Sequence, residues 1–294
     1  MRRSTLLLTL LLLSCGAPSE QSSTVLTTGT AISTDGVPIV YDVQGRGEPS
    51  LVFVHGWAGY RGEWAPQMAH FSSSHRVVAI DLAGHGDSGD DRQSWTMQAF
   101  GNDVASVIRA LGINSAILIG HSMGTPVILE AALIMPDEVT GLVPVDMLKN
   151  VERGYSPERI EEWVKAYMAG MENPTRESLA QWFTTRMDST VVDNYVHYCQ
   201  RTAQRHWLGW EGSLREVLTW AGDRQTDVLR GVHVPVICIN ADPPRTNLDM
   251  ARKYLESVDV RTIEGAGHSI HWEVPQEFNQ VLEEVLLTLQ ESDR

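Results

Sequence analysis

Short, continuously apolar runs alternate along this chain with segments whose apolar residues recur at helical spacing. That alternation restricts the fold more than any other feature. Residues 39–43, 51–54, 77–82 and 116–119 are strand candidates, and over 97–111 Val104, Val107, Ile108 and Leu111 share one helical face. The pattern resumes with a strand at 234–240, a helix at 249–255 and a strand at 258–263. A last helix enters through Pro275 and carries Phe278, Val281, Leu282, Val285, Leu286 and Leu289 as one stripe. Strands that are apolar on successive residues are covered on both faces. The expectation is an α/β fold with a mostly parallel sheet flanked by helices.

Residues 147–233 interrupt this pattern. They hold Trp163, Trp182, Trp207, Trp210 and Trp220, five of the nine tryptophans, and read as helix throughout. Ser156-Pro157 and Asn173-Pro174 each look like a helix start, with a capping side chain ahead of a proline in the first turn. So long a stretch is not a loop, and it reads as a helical cap over the strand ends. The core is then 25–146 together with 234–294, and most of the cap tryptophans serve packing.

The chemistry centres on Gly120-His121-Ser122-Met123-Gly124, between the apolar run 116–119 and a helix passing through Ile128, Leu129 and Ala132. A strand that turns sharply into a helix holds the central serine in a strained backbone with its hydroxyl exposed, and glycines keep the turn open. Pro126 lies close to the limit of the first helical turn, where proline is tolerated. A serine hydroxyl needs a base. His268, in Glu264-Gly265-Ala266-Gly267-His268 after the last strand candidate, fills that role ahead of its neighbour His271. The carboxylate that orients the imidazole reads as Asp242, after the strand at 234–240, which gives the chain order Ser, Asp, His. Asp146, ending Leu142-Val143-Pro144-Val145, is the rival. Oxyanion stabilisation calls for two backbone N–H groups, assigned to Met123 and to Trp57 in the loop after the strand at 51–54.

His55-Gly56-Trp57, Asp81-Leu82-Ala83-Gly84-His85-Gly86-Asp87-Ser88, the serine motif and Gly265-Ala266-Gly267-His268 stand in the order of the signature blocks of the capped α/β-hydrolase family. The chain resembles that family over residues 30–290, least in the cap. The resemblance implies eight strands, a lid after strand six and chemistry without a cofactor. One departure concerns the acid: relatives commonly carry Gly-x-x-Asp, whereas Asn240-Ala241-Asp242-Pro243-Pro244 is a residue shorter. Serine at the nucleophile position is unlike the epoxide hydrolases and haloalkane dehalogenases, which use aspartate there. His55, Asp81, His85 and Asp87 lack metal-ligand spacing and read as partners of turn backbone, so no metal is expected.

The expected reaction is hydrolysis of a small-molecule carboxylester or lactone through an acyl-enzyme on Ser122. Amide or peptide cleavage, carbon–carbon hydrolysis and cofactor-free haloperoxidation would use the same residues. A ligand-binding module is the non-enzymatic alternative. The net charge of -14 speaks against nucleic-acid binding.

Met1-Arg2-Arg3 precedes Leu6-Leu7-Leu8-Thr9-Leu10-Leu11-Leu12-Leu13, an apolar run too short to span a bilayer and suited to an export signal. Leu12-Leu13-Ser14-Cys15 resembles a bacterial lipobox. Residues 1–14 are then a signal peptide, with a lipidated Cys15 and a small, polar tether over 15–24. Gly16 after the cysteine points to an outer-membrane lipoprotein, and a periplasmic or secreted protein is the alternative. Cys238 lies in an apolar run and reads as a buried small hydrophobe, with a Cys199–Cys238 disulfide as the lesser possibility.

Overall fold

The computed structural model describes residues 25–182 and 184–292. The expected signal peptide, Cys15 and the expected tether, residues 1–24, lie outside the described residues. Eight strands form one sheet: β1 (Thr27–Ile32), β2 (Pro38–Gln44), β3 (Ser50–Val54), β4 (Val77–Ile80), β5 (Ala116–His121), β6 (Val139–Val145), β7 (Val236–Asp242) and β8 (Val258–Glu264). Their order is β1-β2-β4-β3-β5-β6-β7-β8, with only β2 running against its neighbours. The expected strands are present, and β1 adds an edge strand that the apolar pattern does not reveal. Its sequence, Thr-Thr-Gly-Thr-Ala-Ile, exposes most of its side chains and buries only Ala31 fully.

Helices α1 (Ala65–Phe71), α2 (Met97–Ala110) and α3 (Gly124–Ile134) connect the first six strands. The Thr96 hydroxyl accepts the Ala99 N–H at the start of α2, a cap contributing about 1 kcal/mol. β3, β4 and β5 are buried along their whole length, at about 1.5–3 kcal/mol per large apolar side chain removed from water. One face of the sheet packs on Phe100, Val104, Ile108, Val127 and Ile128, and the other on Met68, Phe71, Phe278, Leu282 and Leu286.

Between β6 and β7 lie α4 (Pro157–Glu172), α5 (Ser189–Asp223) and α6 (Gln225–Gly231). The Ser156 hydroxyl accepts the Arg159 N–H at 3.3 Å, so the first predicted cap holds. Asn173-Pro174 behaves otherwise: Asn173 ends α4, and no α-helix begins there. Thr175 and Ser178 each accept the other's backbone N–H through their hydroxyls, at 3.1 and 2.9 Å. This is the reciprocal bonding of a capping box, so the helical turn starts at Thr175, whose carbonyl accepts the Leu179 N–H at 3.1 Å, and not at Asn173. The remaining helices are α7 (Leu248–Ala251), α8 (Ile270–Glu273) and α9 (Pro275–Ser292). Cys199 and Cys238 are both free thiols, and both are buried. Among the described residues, no helix is long and apolar enough to cross a membrane.

Candidate active site

Ser122 sits between β5 and α3 with φ +50°, in the left-handed region that costs an ordinary side chain energy. The surrounding bonds hold it there. Its N–H donates to the Val145 carbonyl at 3.1 Å, and its own carbonyl accepts the Thr125 N–H at 2.9 Å. The two glycines of the motif are sterically required. A Cβ at Gly120 would lie 2.4 Å from the Gly124 carbonyl oxygen, and one at Gly124 would lie 2.5 Å from that of Val54. Pro126 is the third residue of α3, where an N–H has no intrahelical partner to lose.

His268 follows β8 and brings its imidazole to the same edge of the sheet, with 47% of the side chain exposed. Its Nδ1 lies 2.6 Å from Asp146 Oδ2. The carboxylate at the imidazole is therefore that of Asp146, and the sequence preference for Asp242 is corrected. Asp242 is still in register on β7, opposite Glu264. Its charged neighbour is Arg245, at 3.7 Å. The short Asn240-Ala241-Asp242 segment explains the difference: Asp242 remains the last residue of the strand instead of entering the loop beyond it.

Asp146 is well built for its position. It too has a positive φ, of +52°, and its N–H donates to the Ile239 carbonyl at 2.9 Å. Oδ1 accepts the Ala241 N–H at 2.9 Å and faces Lys149 Nζ at 2.7 Å. Asn240 pins the adjoining loop from β7, accepting the Met147 N–H at 3.1 Å and donating to the Met147 carbonyl at 3.0 Å. Burial pushes the Asp146 carboxyl up, but His268 and Lys149 together outweigh it and hold the group below its ordinary value. Asp146 is thus an anion at neutral pH, with Oδ2 turned to His268.

Among the described residues, no hydrogen bond joins the Ser122 hydroxyl to His268. The two loops are tied one residue away, where His121 Nε2 donates to the His268 carbonyl at 2.9 Å. The rings of residues 121 and 268 stand 4.8 Å apart between centroids. His271 packs against His121 instead, with ring centroids 4.6 Å apart. It is buried, stacks on Trp64 with centroids 4.1 Å apart, and burial pushes it down to about 3.

Met123 is the buried residue preceding α3, and Trp57 follows β3. The Trp57 indole N–H donates to the Trp210 carbonyl of α5 at 2.7 Å, and its ring meets Tyr167, Trp182 and Trp210 edge-on. The helices between β6 and β7 therefore grip the loop that carries one expected oxyanion donor. His55 and His85 bond turn backbone, as the sequence suggests. His55 Nδ1 donates to the Gly56 carbonyl while its Nε2 accepts the Leu82 N–H, and His85 Nδ1 donates to the Ala83 carbonyl. Asp81 accepts the N–H groups of Arg61 and Asp87.

Sequence reasoning overlooked three features. Lys149 at the carboxylate is one. Asn240 behind it is another. The third is a buried group, Glu63, His121 and His271, whose ligand-capable atoms lie within 4.8 Å of one another. Glu63 and His271 carry no motif, and His121 occupies the variable position beside the serine.

Residues 51–281 match the model of a family described as the Alpha/beta hydrolase family. The chain is similar to the dihydrolipoyllysine-residue acetyltransferase component of the acetoin cleaving system of Pseudomonas putida, 27% identical over 82% of this chain and 64% of that protein. It thus spans less than two thirds of that relative's length. Similarity to the (lyso)-N-acylphosphatidylethanolamine lipase of Bos taurus is 24% identity over 82% of this chain and 80% of the lipase. Among solved structures, Est816, described as an N-acyl homoserine lactone degrading enzyme, superposes with a TM-score of 0.68 at 22% identity, covering 86% of this chain and 99% of that one. With the eight-stranded sheet and the strained serine between β5 and α3, the match over most of the sequence places the chain in the α/β-hydrolase family.

Proposed function

We propose that this hydrolase cleaves a small carboxylester or lactone through an acyl-enzyme on Ser122. The observation that carries the reading is the pairing of a serine at φ +50° with a histidine on the same sheet edge whose Nδ1 is held 2.6 Å from a buried carboxylate. Asp146 fixes the proton of His268 on Nδ1, so Nε2 presents a lone pair. Nε2 takes the Ser122 proton as the oxygen attacks the carbonyl carbon. The N–H groups of Met123 and Trp57 receive the oxyanion. Protonated Nε2 then returns its proton to the departing alkoxide as the ester bond breaks. Water, deprotonated by the same nitrogen, releases the acid and restores the serine. The serine–histidine bond of such sites is commonly long without substrate and tightens when it binds.

The lipase and the lactone-degrading enzyme among the similar proteins agree with ester-type substrates. A panel of p-nitrophenyl esters of graded chain length, with lactones and anilides, tests the reading. Ester or lactone turnover that Ser122→Ala abolishes is expected. Turnover confined to anilides, or equal in the Ser122→Ala protein, contradicts it.

We also infer export to the bacterial envelope, with Cys15 lipidated and the enzyme held at the outer membrane. The support is the basic start, the apolar run and the lipobox-like Leu12-Leu13-Ser14-Cys15. Two or three acyl chains would anchor firmly where one alone would not. Cys15→Ala should release the protein from the membrane fraction, and unchanged membrane association of that variant would end this part of the account.

A further inference from the structure

We propose that Glu63, His121 and His271 form a buried binding site for a zinc-class divalent cation behind the catalytic edge. The three residues come from separate elements. Glu63 lies in the short turn Arg61–Trp64 before α1, His121 ends β5, and His271 lies in α8. All three are buried, and His271 Nε2 stands 4.0 Å from Glu63 Oε2.

Proton inventory gives the site its character. A carbonyl oxygen only accepts, so the bond from His121 Nε2 to the His268 carbonyl places the ring proton on Nε2. In a neutral imidazole, Nδ1 then carries a bare lone pair. His121 Nδ1 is buried and has no hydrogen-bond partner, and the same is true of both ring nitrogens of His271. A neutral His271 adds one further bare lone pair and one unpaired N–H, and buried polar atoms left without a partner cost about 1–3 kcal/mol each. Two imidazoles and a carboxylate that converge in this way are completed by a cation.

The geometry suits a small one. Three atoms within 4.8 Å of one another have a common centre no more than about 2.8 Å from each, and zinc–nitrogen and zinc–oxygen bonds of about 2.0–2.2 Å need an inward shift of at most about 0.6–0.8 Å. The bond from His121 to a backbone carbonyl is also the outer partner that metal-bound histidines characteristically have. The loop above leaves room at the ligand atoms because it is made of glycines there. A Cβ at Gly56 would lie 2.9 Å from His121 Nδ1, and one at Gly59 would lie 2.7 Å from Glu63 Oε1. Two imidazoles with one carboxylate favour zinc over magnesium or calcium, which prefer all-oxygen sites. The ion would tie the Trp57 loop, the Ser122 turn and the His268 loop together without touching substrate, so the proposal stands independently of the reaction assigned above.

The test uses the untagged full chain, expressed with zinc in the medium and purified without chelator. Metal analysis should find about one zinc per chain, and glutamine at position 63 or 271 (Glu63→Gln, His271→Gln) should lower it by tenfold or more, the scale of loss that even outer partners produce. Cobalt loading should give visible ligand-field bands with no near-ultraviolet thiolate charge-transfer band, which separates this site from any cysteine. Zinc should also raise the melting temperature of the chelator-treated wild type. If a variant fails to fold, the wild-type cobalt spectrum and zinc-dependent melting shift decide the matter. Folded variants that keep full zinc content overturn the proposal, as does a wild type with neither bound zinc, ligand-field bands nor a melting shift.

Discussion

Replacing Asp146 by asparagine separates the two carboxylates that the sequence offers. In the structure Asp146 Oδ2 is 2.6 Å from His268 Nδ1, whereas Asp242 ends β7 beside Arg245. An asparagine at 146 keeps the shape and retains an oxygen for the Ala241 N–H, now bonded at 2.9 Å. It removes the negative charge that stabilises the imidazolium, and its amide can force the wrong ring tautomer. Where a triad aspartate has been exchanged in this way turnover falls about 10⁴-fold, which corresponds to about 5 kcal/mol of transition-state stabilisation. We expect Asp146→Asn to lower kcat/KM for a p-nitrophenyl ester by about 10³–10⁴-fold. Asp242→Asn, by contrast, should stay within threefold of wild type. Far-ultraviolet circular dichroism and the thermal midpoint establish that both variants are folded. The reasoning is refuted if Asp146→Asn keeps a tenth or more of wild-type activity, or if Asp242→Asn shows the larger loss.

Gly124→Ala should destabilise the protein by about 1–3 kcal/mol, because the new methyl meets the Val54 carbonyl oxygen at 2.5 Å; chemical denaturation measures this, and an unchanged midpoint contradicts it. Lys149→Met removes the cation 2.7 Å from Asp146 Oδ1. Since Asp146 is depressed in the folded state, its contribution to stability is present above the unfolded carboxylate range and is lost as pH falls through the folded value. Raising that value should move acid unfolding to higher pH. Acid-unfolding curves of wild type and variant check the direction, and a midpoint unchanged or moved to lower pH contradicts it. Glu130→Ala should cost about 1–3 kcal/mol, because the buried Trp220 indole N–H now donates to that carboxylate at 2.9 Å; denaturation curves read the loss.

Much of the architecture was legible because burial leaves a periodic mark. β3, β4 and β5 are apolar on successive residues, and the stripe from Phe278 to Leu289 could only face a core. β1 left no such mark, being a threonine-rich edge strand with one buried side chain. Asn173-Pro174 starts no helix because the reciprocal Thr175–Ser178 pairing caps the turn two residues further on. The acid was ambiguous for a geometric reason. β6 and β7 are neighbours, so a carboxylate at the end of either strand approaches the same histidine. One residue of loop length and the cation at Lys149 separate them; the short Asn240-Ala241-Asp242 segment is visible in the sequence, but not which strand end the imidazole meets. The gathering of Glu63, His121 and His271 left no mark in the sequence, since only the folded chain brings these distant positions together.

Intact-mass analysis of the protein after treatment with a fluorophosphonate tests the central claim most directly. The account predicts one phosphonyl adduct per chain, mapped by peptide sequencing to Ser122 and lost in Ser122→Ala. A folded chain that gains no adduct, or one modified at another residue while the Ser122→Ala protein still labels, contradicts the assignment of this serine as the nucleophile.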